Sequence, residues 1–398
     1  MTLLTFNQEV NLCTNALILV SNKTSQLKVA FFSALPPFRG GISSFSSLLV
    51  KAIKRKANVE AFTFSKQYPK LLFPGKTQVD SKVSEHYPQI VSSYNPLTYL
   101  SARRILRKVS PDVFVANYWM PFFSPMYVYM AKSFGKEVFK VALIHNLTPH
   151  EPRIFDAYLN RLFVRHFDAF IVLSEKVRQD VLSYRPDANC LVIPHPKYKQ
   201  FGEKSEKPKA RALFSFPENV KVLLFFGLIR DYKGLDILLD AMKHLDDSYR
   251  LLIAGEVYGG KDKYAQSINK LGSERVVFHD RFIADDEVSN YFGAADCCVL
   301  PYKAGTQSGI QAIASSFNLP VLVSSKGGLH EQIVEGRNGF VIEDLNAESL
   351  AVKVENVFSG GKLQIVEEYL LQQEDDQKDE WSDFADLFLN FISDEKSK

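Results

Sequence analysis

At residues 222–242 the chain reads VLLFFGLIRDYKGLDILLDAM, and this stretch decides the fold. Five apolar residues lead into a glycine loop that carries two cations, and a helical pattern of Leu and Ile follows. A similar layout returns at 297–314 (CCVLPYKAGTQSGIQAIA) and at 319–342 (LPVLVSSKGGLHEQIVEGRNGFVI). Because open α/β sheets bind ligands at the carboxyl ends of parallel strands, this repeated layout predicts a phosphate-binding edge.

Apolar strands alternate with helical patterns along both halves of the chain, which is typical of α/β proteins with doubly wound parallel sheets. A length of 398 residues exceeds what one hydrophobic core usually serves, so two domains are expected. The predicted organisation is an N-terminal lead-in (1–26), a Rossmann-like domain (27–200), a second Rossmann-like domain (201–362) and C-terminal helices (363–398). Residues 65–95 lack periodicity and are predicted to form a long irregular loop.

Composition indicates a globular protein, since 46% of the residues are apolar and 23% are charged. The apolar runs are too short to span a bilayer, and the N-terminus lacks the basic region of a signal peptide. None of the four cysteines shows metal-ligand spacing, and Cys297 and Cys298 are adjacent in a predicted buried strand. These features favour a reduced, cytoplasmic protein.

Charge is distributed unevenly between the two halves. Residues 1–205 carry 27 Lys and Arg against 13 Asp and Glu, whereas residues 206–398 carry 21 against 32. The basic half predicts an anionic binding partner or peripheral attachment to the anionic inner leaflet of a membrane, and ordinary variation of surface charge is the alternative. Nucleic acid is disfavoured because no nucleic-acid-binding module is recognisable. The basic residues cluster in two predicted helices: Lys51, Lys54, Arg55 and Lys56, and Arg103, Arg104, Arg107 and Lys108.

Three motifs together resemble the donor-binding half of the GT-B glycosyltransferases of family 4, group 1. They are the loop G-L-I-R-D-Y-K-G, the T-Q-S-G turn and the G-G-x-x-E element. The resemblance implies that the Rossmann-like domain 27–200 binds the acceptor, that the Rossmann-like domain 201–362 binds the nucleotide-sugar donor, and that the two face a cleft. It also implies that the C-terminal helices of 363–398 pack back on the N-terminal domain, with the last helix crossing to it. It also implies transfer of a sugar from a nucleotide-diphosphate-sugar to a hydroxyl of a saccharide or lipid-linked acceptor. Retention of configuration and a role in cell-surface polysaccharide or glycolipid synthesis are further implications.

The first motif supplies the cations that such chemistry needs, because a departing diphosphate builds up negative charge. Lys233 occupies the family's lysine position, whereas Leu228 stands where the family has arginine and Arg230 lies two residues further on. Arg230 and Lys233 are therefore candidate catalytic residues. An ion pair with Asp231 at the start of a helix is the alternative role for both.

The second motif departs from the family pattern of two glutamates eight positions apart. Lys303 and Gln311 occupy those positions, so both glutamates are absent. Hydroxyl and amide groups with the N–H groups of a helix N-terminus are expected to hold the donor instead, and a plain helix cap is the alternative. Glu256, after LLIAG, is a helix cap first and a base contact second. The resemblance completes the donor-binding set: Gly40, Gly41, Gly227, Glu256, Thr306, Gln307, Ser308, Gly309, Gln311, Gly327, Gly328 and Glu331.

On the acceptor side, His145 ends a predicted strand at the ligand-binding edge. The resemblance places a histidine of this loop beside the transferred sugar, which makes His145 the third candidate catalytic residue. His150, Glu151, Arg103 and Arg104 are expected to contact the acceptor. No metal and no cofactor is expected, since Asp285 and Asp286 suit the start of a helix better than a metal site.

Two other functions stay open. The absence of the paired glutamates motivates a non-catalytic homologue or scaffold that binds a nucleotide-sugar. The second is a nucleotide-sugar epimerase, which shares the twin-domain plan. Dinucleotide binding is disfavoured because no G-x-G-x-x-G follows the first strand.

Overall fold

The structure, a computed structural model, describes residues 27–69, 78–79, 85–149, 153–258, 262–373 and 379–398. The chain divides into two compact units, each with its own parallel sheet. The first unit runs to Pro194 and takes in Asp379–Lys398, and the second unit is His195–Lys378. No helix in these described ranges is long and apolar enough to cross a bilayer.

The first unit contains a parallel sheet in the order β3-β2-β1-β4-β5-β6-β7. Its strands are β1 (Lys28–Phe32), β2 (Asn58–Lys66), β3 (Gln89–Ser92), β4 (Val113–Tyr118), β5 (Phe139–Ile144), β6 (Ala169–Val172) and β7 (Asn189–Val192). Its helices up to β7 are α1 (Gly41–Lys54), α2 (Leu97–Val109), α3 (Ser124–Ala131), α4 (Asp156–Val164) and α5 (Glu175–Tyr184). The strand order reverses direction between β1 and β4.

The second unit contains a parallel sheet in the order β10-β9-β8-β11-β12-β13. Its strands are β8 (Lys221–Phe226), β9 (Tyr249–Ala254), β10 (Val276–His279), β11 (Cys297–Leu300), β12 (Val321–Ser324) and β13 (Gly339–Ile342). Its helices are α6 (Lys207–Leu213), α7 (Leu235–Ala241), α8 (Asp262–Leu271), α9 (Val288–Ala294), α10 (Gly309–Ser316), α11 (Ala347–Phe358) and α12 (Lys362–Gln372). Here the order reverses between β8 and β11.

Both faces of the first sheet are covered, as the near-continuous apolar strands require. Successive residues of β1 point to opposite faces, so Phe32 joins one core and Phe31 the other. The Phe32 core receives residues of α2, α3, α4 and α5. The Phe31 core receives residues of α1 and of the final helix, α13 (Glu380–Lys396).

The last helix packs on α1, so the expected return of the C-terminal helix to the N-terminal domain is confirmed. Phe384 and Phe388 are buried against the core, and Trp381 and Phe391 are partly buried beside them. Leu387 of the same helix lies outside this buried face, because its side chain is 52% exposed. Two ion pairs at the surface join this segment to the residues that follow α1. They are Arg55–Asp379 at 3.0 Å and Lys56–Asp386 at 2.7 Å.

Two further sequence expectations need correction. The predicted irregular region 65–95 contains β3, which pairs with β2 at the edge of the first sheet. The predicted C-terminal helices from 363 onward do not all return to the first unit. Helix α12 places Val366 and Leu370 in the core of the second unit, and only α13 belongs to the first. The apolar face of each helix decided its partner, and the sequence shows a face without showing what covers it.

Candidate donor-binding site

The loops after β8 and β11 meet at the point where the second sheet reverses its strand order. The chain winds from β8 through β9 to β10 on one side and from β11 through β12 to β13 on the other. The loops at such a point diverge and leave a crevice outside the carboxyl ends of the strands. The β8 loop carries Gly227 and Lys233, and the β11 loop carries Tyr302 and Ser308.

Gly227 allows the β8 loop to approach the first turn of α10. Its φ is +91°, in the region that favours glycine, and a Cβ there would lie 2.9 Å from Cδ1 of Ile310. The same Cβ would lie 3.5 Å from Nζ of Lys233. The lysine ammonium, Gly227 and the start of α10 therefore share one small region.

Lys233 is a buried cation in this region. It ends the short 3₁₀ turn Asp231–Lys233, its side chain is 7% exposed, and its Nζ lies 5.3 Å from the ring centroid of Tyr302. No carboxylate in the described part of the chain forms an ion pair with it. The pKa of Lys233 is lowered to about 8, mainly by burial and to a smaller extent by the charge of Arg230. A buried cation without a counter-charge is unfavourable, so this position suits an anionic ligand.

The neighbouring charges have partners of their own. Asp231, the expected alternative partner of Arg230 and Lys233, pairs instead with Lys263 at 2.8 Å. Lys303 pairs with Asp236 at 2.6 Å. The guanidinium of Arg230 lies over the ring of Tyr258 at 5.8 Å. The ion-pair alternative therefore does not account for Lys233.

The N-terminus of α10 adds backbone donors to the same place. Ser308 is its N-cap and accepts a hydrogen bond from the N–H of Ile310 at 3.3 Å. The hydroxyl of Tyr302 lies 3.4 Å from Oγ of Ser308, so Tyr302 contacts both the lysine and the cap. The first turn of α10 has no acidic residue. A helix start without an acid beside a buried lysine is a suitable anion site.

The loop after β12 closes against the β11 loop. The N–H of Gly328 donates to the carbonyl oxygen of Gly305 at 2.7 Å. Gly327 has φ +75°, and a Cβ there would overlap that same carbonyl oxygen. The two glycines of the G-G-x-x-E element therefore permit a close loop contact. Glu331 is exposed, and Thr306 is buried.

Comparison with known proteins identifies the family. The family model described as "Glycosyl transferases group 1" matches residues 206–367, and the model "Glycosyltransferase Family 4" matches residues 39–196. The chain belongs to the family 4, group 1 glycosyltransferases. Both the sequence resemblance and the predicted GT-B fold are thereby confirmed.

Similar curated proteins include two named D-inositol 3-phosphate glycosyltransferase. The one from Streptomyces scabiei is 28% identical over 194 residues, covering 45% of this chain and 44% of that protein. The one from Arthrobacter sp. is 28% identical over 158 residues, covering 38% of each. The match thus spans about two fifths of the length of these relatives.

Solved structures show the same fold at low sequence identity. Sucrose-phosphate synthase from Thermosynechococcus elongatus has a TM-score of 0.71 at 17% identity, covering 87% of this chain and 94% of that one. HepE from Anabaena, solved in complex with UDP and glucose, has a TM-score of 0.67 at 19% identity, covering 92% and 97%.

In this glycosyltransferase-family chain, the first unit positions the other predicted site residues. Gly40 and Gly41 are exposed at the start of α1, where a Cβ on either would meet nothing within 4 Å. The helix has no acid in its first turn and no side-chain cap. This open N-terminus follows β1, at the point where the first sheet reverses its order.

His145 directly follows β5 and is 3% exposed. Its ring packs edge-on against Phe45 of α1, with centroids 4.7 Å apart, and Phe45 packs on Trp381 of α13 at 5.1 Å. The last helix therefore supports the position of His145 through one intervening ring. His150 and Glu151 lie outside the described residues.

The two arginines predicted to contact the acceptor differ in the exposure of their side chains. Arg104 is exposed on α2, and Arg103 is partly buried. Gln311 is partly buried in the first turn of α10, next to the site. Glu256 is buried, but it precedes the first residue of α8, Asp262, by six positions and so is not the cap of that helix.

Sequence reasoning missed two residues beside α10, His195 and Tyr198. The hydroxyl of Tyr198 lies 3.2 Å from Nε2 of His195, whose Nδ1 lies 2.9 Å from the carbonyl oxygen of Pro196. A Cβ on Gly309 would lie within 4.0 Å of both rings. Burial lowers the pKa of His195 to about 4, so the ring is neutral at pH 7. No motif of the sequence marks either residue, because both lie in the connecting segment between β7 and α6.

Proposed function

We propose that the protein is a glycosyltransferase enzyme that moves a sugar from a nucleotide-diphosphate-sugar to a hydroxyl of a saccharide or lipid-linked acceptor. The observation that carries this proposal is the buried ammonium of Lys233, placed without a carboxylate partner in the described chain beside the first turn of α10. A diphosphate supplies the missing negative charge there. Membership of a glycosyltransferase family supports the same activity.

The proposed reaction breaks the bond between the sugar C1 and the diphosphate oxygen and forms a bond from C1 to the acceptor oxygen. Lys233, Arg230 and the N–H groups of α10 stabilise the charge that builds up on the leaving diphosphate. The acceptor attacks from the face that the diphosphate leaves, which retains configuration, and its proton passes to the departing phosphate. Two cations supply the positive charge, so the proposal requires neither a divalent metal nor a cofactor.

The first unit is proposed to hold the acceptor and the reacting end of the donor. His145 follows a strand at the ligand-binding edge of its sheet, and its packing against Phe45 fixes the ring. The N–H groups at Gly40 and Gly41 offer donors to a phosphate. His150 and Glu151 remain proposed acceptor contacts.

A peripheral location at an anionic membrane surface is proposed from α2. Its outer face carries exposed apolar side chains, Leu97 at 80% and Leu100 at 52%, beside exposed Arg104 and Lys108. Apolar side chains with nearby cations suit the headgroup region, where each Lys or Arg contributes about 1 kcal/mol. A lipid-linked acceptor for cell-surface polysaccharide or glycolipid synthesis would lie at that surface.

In the other basic cluster, three of the four cations have carboxylate partners, and the fourth, Lys54, lies over the ring of Tyr87. Lys51 pairs with Glu85 at 2.9 Å, and Arg55 and Lys56 pair with Asp379 and Asp386.

Flotation of the full chain on liposomes tests the membrane proposal. Recovery is expected on vesicles with 30% phosphatidylserine and not on neutral ones, with loss at high salt and in Arg104→Glu/Lys108→Glu. Equal recovery on both vesicle types would reject it.

A donor and acceptor panel tests the activity. UDP-, GDP- and ADP-sugars are incubated with candidate acceptors, among them D-inositol 3-phosphate, which appears in the names of the curated relatives. UDP-glucose is included because the similar Anabaena protein was solved with it. Release of nucleoside diphosphate with a glycosylated acceptor supports the proposal. A converted donor would indicate an epimerase, and binding without turnover a non-catalytic homologue.

A further inference from the structure

Two polar side-chain atoms next to the proposed diphosphate site are buried and have no hydrogen-bond partner in the described part of the chain. They are the amide oxygen of Gln307 and Nδ1 of His330. A buried polar atom left without a partner costs roughly 1–3 kcal/mol. Such atoms in native proteins need an explanation, and a ligand that hydrogen-bonds to them is one.

The two residues belong to loops that touch. Gln307 is two positions after Gly305, and His330 directly follows Leu329. The N–H of Gly328 donates to the carbonyl oxygen of Gly305, and a Cβ on Gly305 would lie 2.8 Å from Cδ1 of Leu329. The β11 and β12 loops therefore bring both side chains to the same edge of the second sheet.

The same loops adjoin the proposed diphosphate site. Gln307 directly precedes the helix cap Ser308, and a Cβ on Gly305 would lie 3.3 Å from the ring of Tyr302. Tyr302 in turn contacts Lys233 and Ser308. A group attached to a diphosphate bound at Lys233 and α10 would therefore lie beside these loops.

The chemistry of the two groups indicates what they bind. An amide and an imidazole can each donate to or accept from a hydroxyl group. One cation of the β11 loop, Lys303, is already paired with Asp236 at 2.6 Å and so is not available to a carboxylate. We propose that Gln307 and His330 bind hydroxyl groups of the transferred sugar and select a neutral sugar over a uronic acid. This inference rests on the proposed function and adds the class of sugar to it.

The test compares the dissociation constants of a nucleoside diphosphate and of its sugar conjugates. The nucleotide used is whichever of UDP, GDP and ADP gives the largest rise in melting temperature with the wild-type chain. Its glucose, galactose and glucuronic acid conjugates are then titrated by calorimetry. The variants are Gln307→Leu and His330→Leu, which remove the polar atoms and keep an apolar side chain.

We expect each variant to bind the best neutral-sugar conjugate about 5–10-fold more weakly, the scale of one lost hydrogen bond. Binding of the nucleoside diphosphate itself is expected to stay within twofold of wild type. The wild-type chain is expected to bind the glucuronic acid conjugate more weakly than the neutral ones. The matched control is Gln332→Leu, which changes an exposed amide of the same β12 loop and leaves all constants unchanged.

The outcomes separate this inference from the proposed function. If no nucleoside diphosphate binds the wild-type chain, the proposed function fails and this inference fails with it. If the nucleoside diphosphate binds and neither variant changes the ratio of its dissociation constant to that of the sugar conjugate, only this inference is rejected. The polar atoms of Gln307 and His330 then bind no more than water. A preference for the glucuronic acid conjugate would also reject it. Circular dichroism of both variants verifies the fold.

Discussion

The ammonium of Lys233 lies 5.3 Å from the ring centroid of Tyr302, and the hydroxyl of that same tyrosine lies 3.4 Å from Oγ of Ser308. One buried aromatic ring thus joins the lysine of the β8 loop to the cap of α10. A ring face attracts a cation but replaces only part of a carboxylate's charge. This arrangement keeps Lys233 in place and leaves its charge available to an anion.

Replacement of Lys233 by methionine should stabilise the free protein and strongly reduce its turnover. Lowering the pKa of a lysine from 10.5 to about 8 corresponds to about 3 kcal/mol at neutral pH, which is the largest gain expected from removing the charge. Turnover should fall by roughly two to three orders of magnitude, as for loss of one transition-state donor. Thermal unfolding and donor turnover measure the two effects.

The control is Lys243→Met, which removes a partly exposed lysine paired with Asp240 at 2.5 Å. It should change neither melting temperature nor turnover appreciably, because exposed ion pairs contribute little. A Lys233→Met protein with wild-type turnover would remove Lys233 from the diphosphate site.

Binding of a nucleoside diphosphate should take up protons near pH 8 to 9. Burial holds the pKa of Lys233 at about 8 in the free protein, and a bound anion raises it. Part of the lysine population therefore gains a proton on binding. Calorimetry at pH 8.5 in two buffers of different ionisation enthalpy measures this uptake, which should be absent in Lys233→Met.

The same lysine sets a pH dependence of stability. Its folded pKa is below the unfolded value of 10.5, so its unfavourable contribution is fully present below about pH 8 and disappears as the pH rises toward 10.5. In that window the unfolded state binds more protons, so the contribution of Lys233 to the free energy of unfolding rises with pH. Urea titrations at pH 7 and 9.5 measure the free energy of unfolding of wild type and Lys233→Met. The difference between the two proteins should be smaller at pH 9.5.

Replacement of the Phe384 side chain in the last helix by a methyl group should destabilise the first unit. Phe384 is 2% exposed and packs against Phe45 with ring centroids 5.8 Å apart. Phe384→Ala should reduce the free energy of unfolding by about 3–5 kcal/mol, the range for large-to-small core changes. Leu387→Ala, three positions along the same helix and 52% exposed, should stay within about 0.5 kcal/mol. Similar losses from both would mean that α13 packs differently.

Transfer activity should survive chelation. Lys233 and Arg230 supply the positive charge at the leaving diphosphate in the proposed mechanism, so no divalent ion is required. Initial rates are compared with and without EDTA after removal of metals from the protein. A rate lost in EDTA and restored by magnesium or manganese would contradict this prediction.

The pattern of apolar runs and glycine loops in the sequence is enough to predict the fold class and the positions of the proposed phosphate-binding loops. Apolar runs such as 222–226 can be buried only in a sheet covered on both faces, and the glycine loops after them fix where the strands end. Lys233, Ser308, Gly327 and Gly328 follow directly from that local pattern. A glycine loop, a helix cap and a lysine position each depend on residues that are consecutive in the chain.

The tertiary structure alone decided which side chains lie together and which have partners. Burial of Lys233 beside Tyr302, the pairing of Lys303 with Asp236 and the packing of His145 through Phe45 on α13 join residues distant in the chain. The edge strand β3 and the second-unit placement of α12 were missed for the same reason. Hydrogen-bond partners and counter-charges depend on three-dimensional neighbours, and one-dimensional periodicity does not contain them.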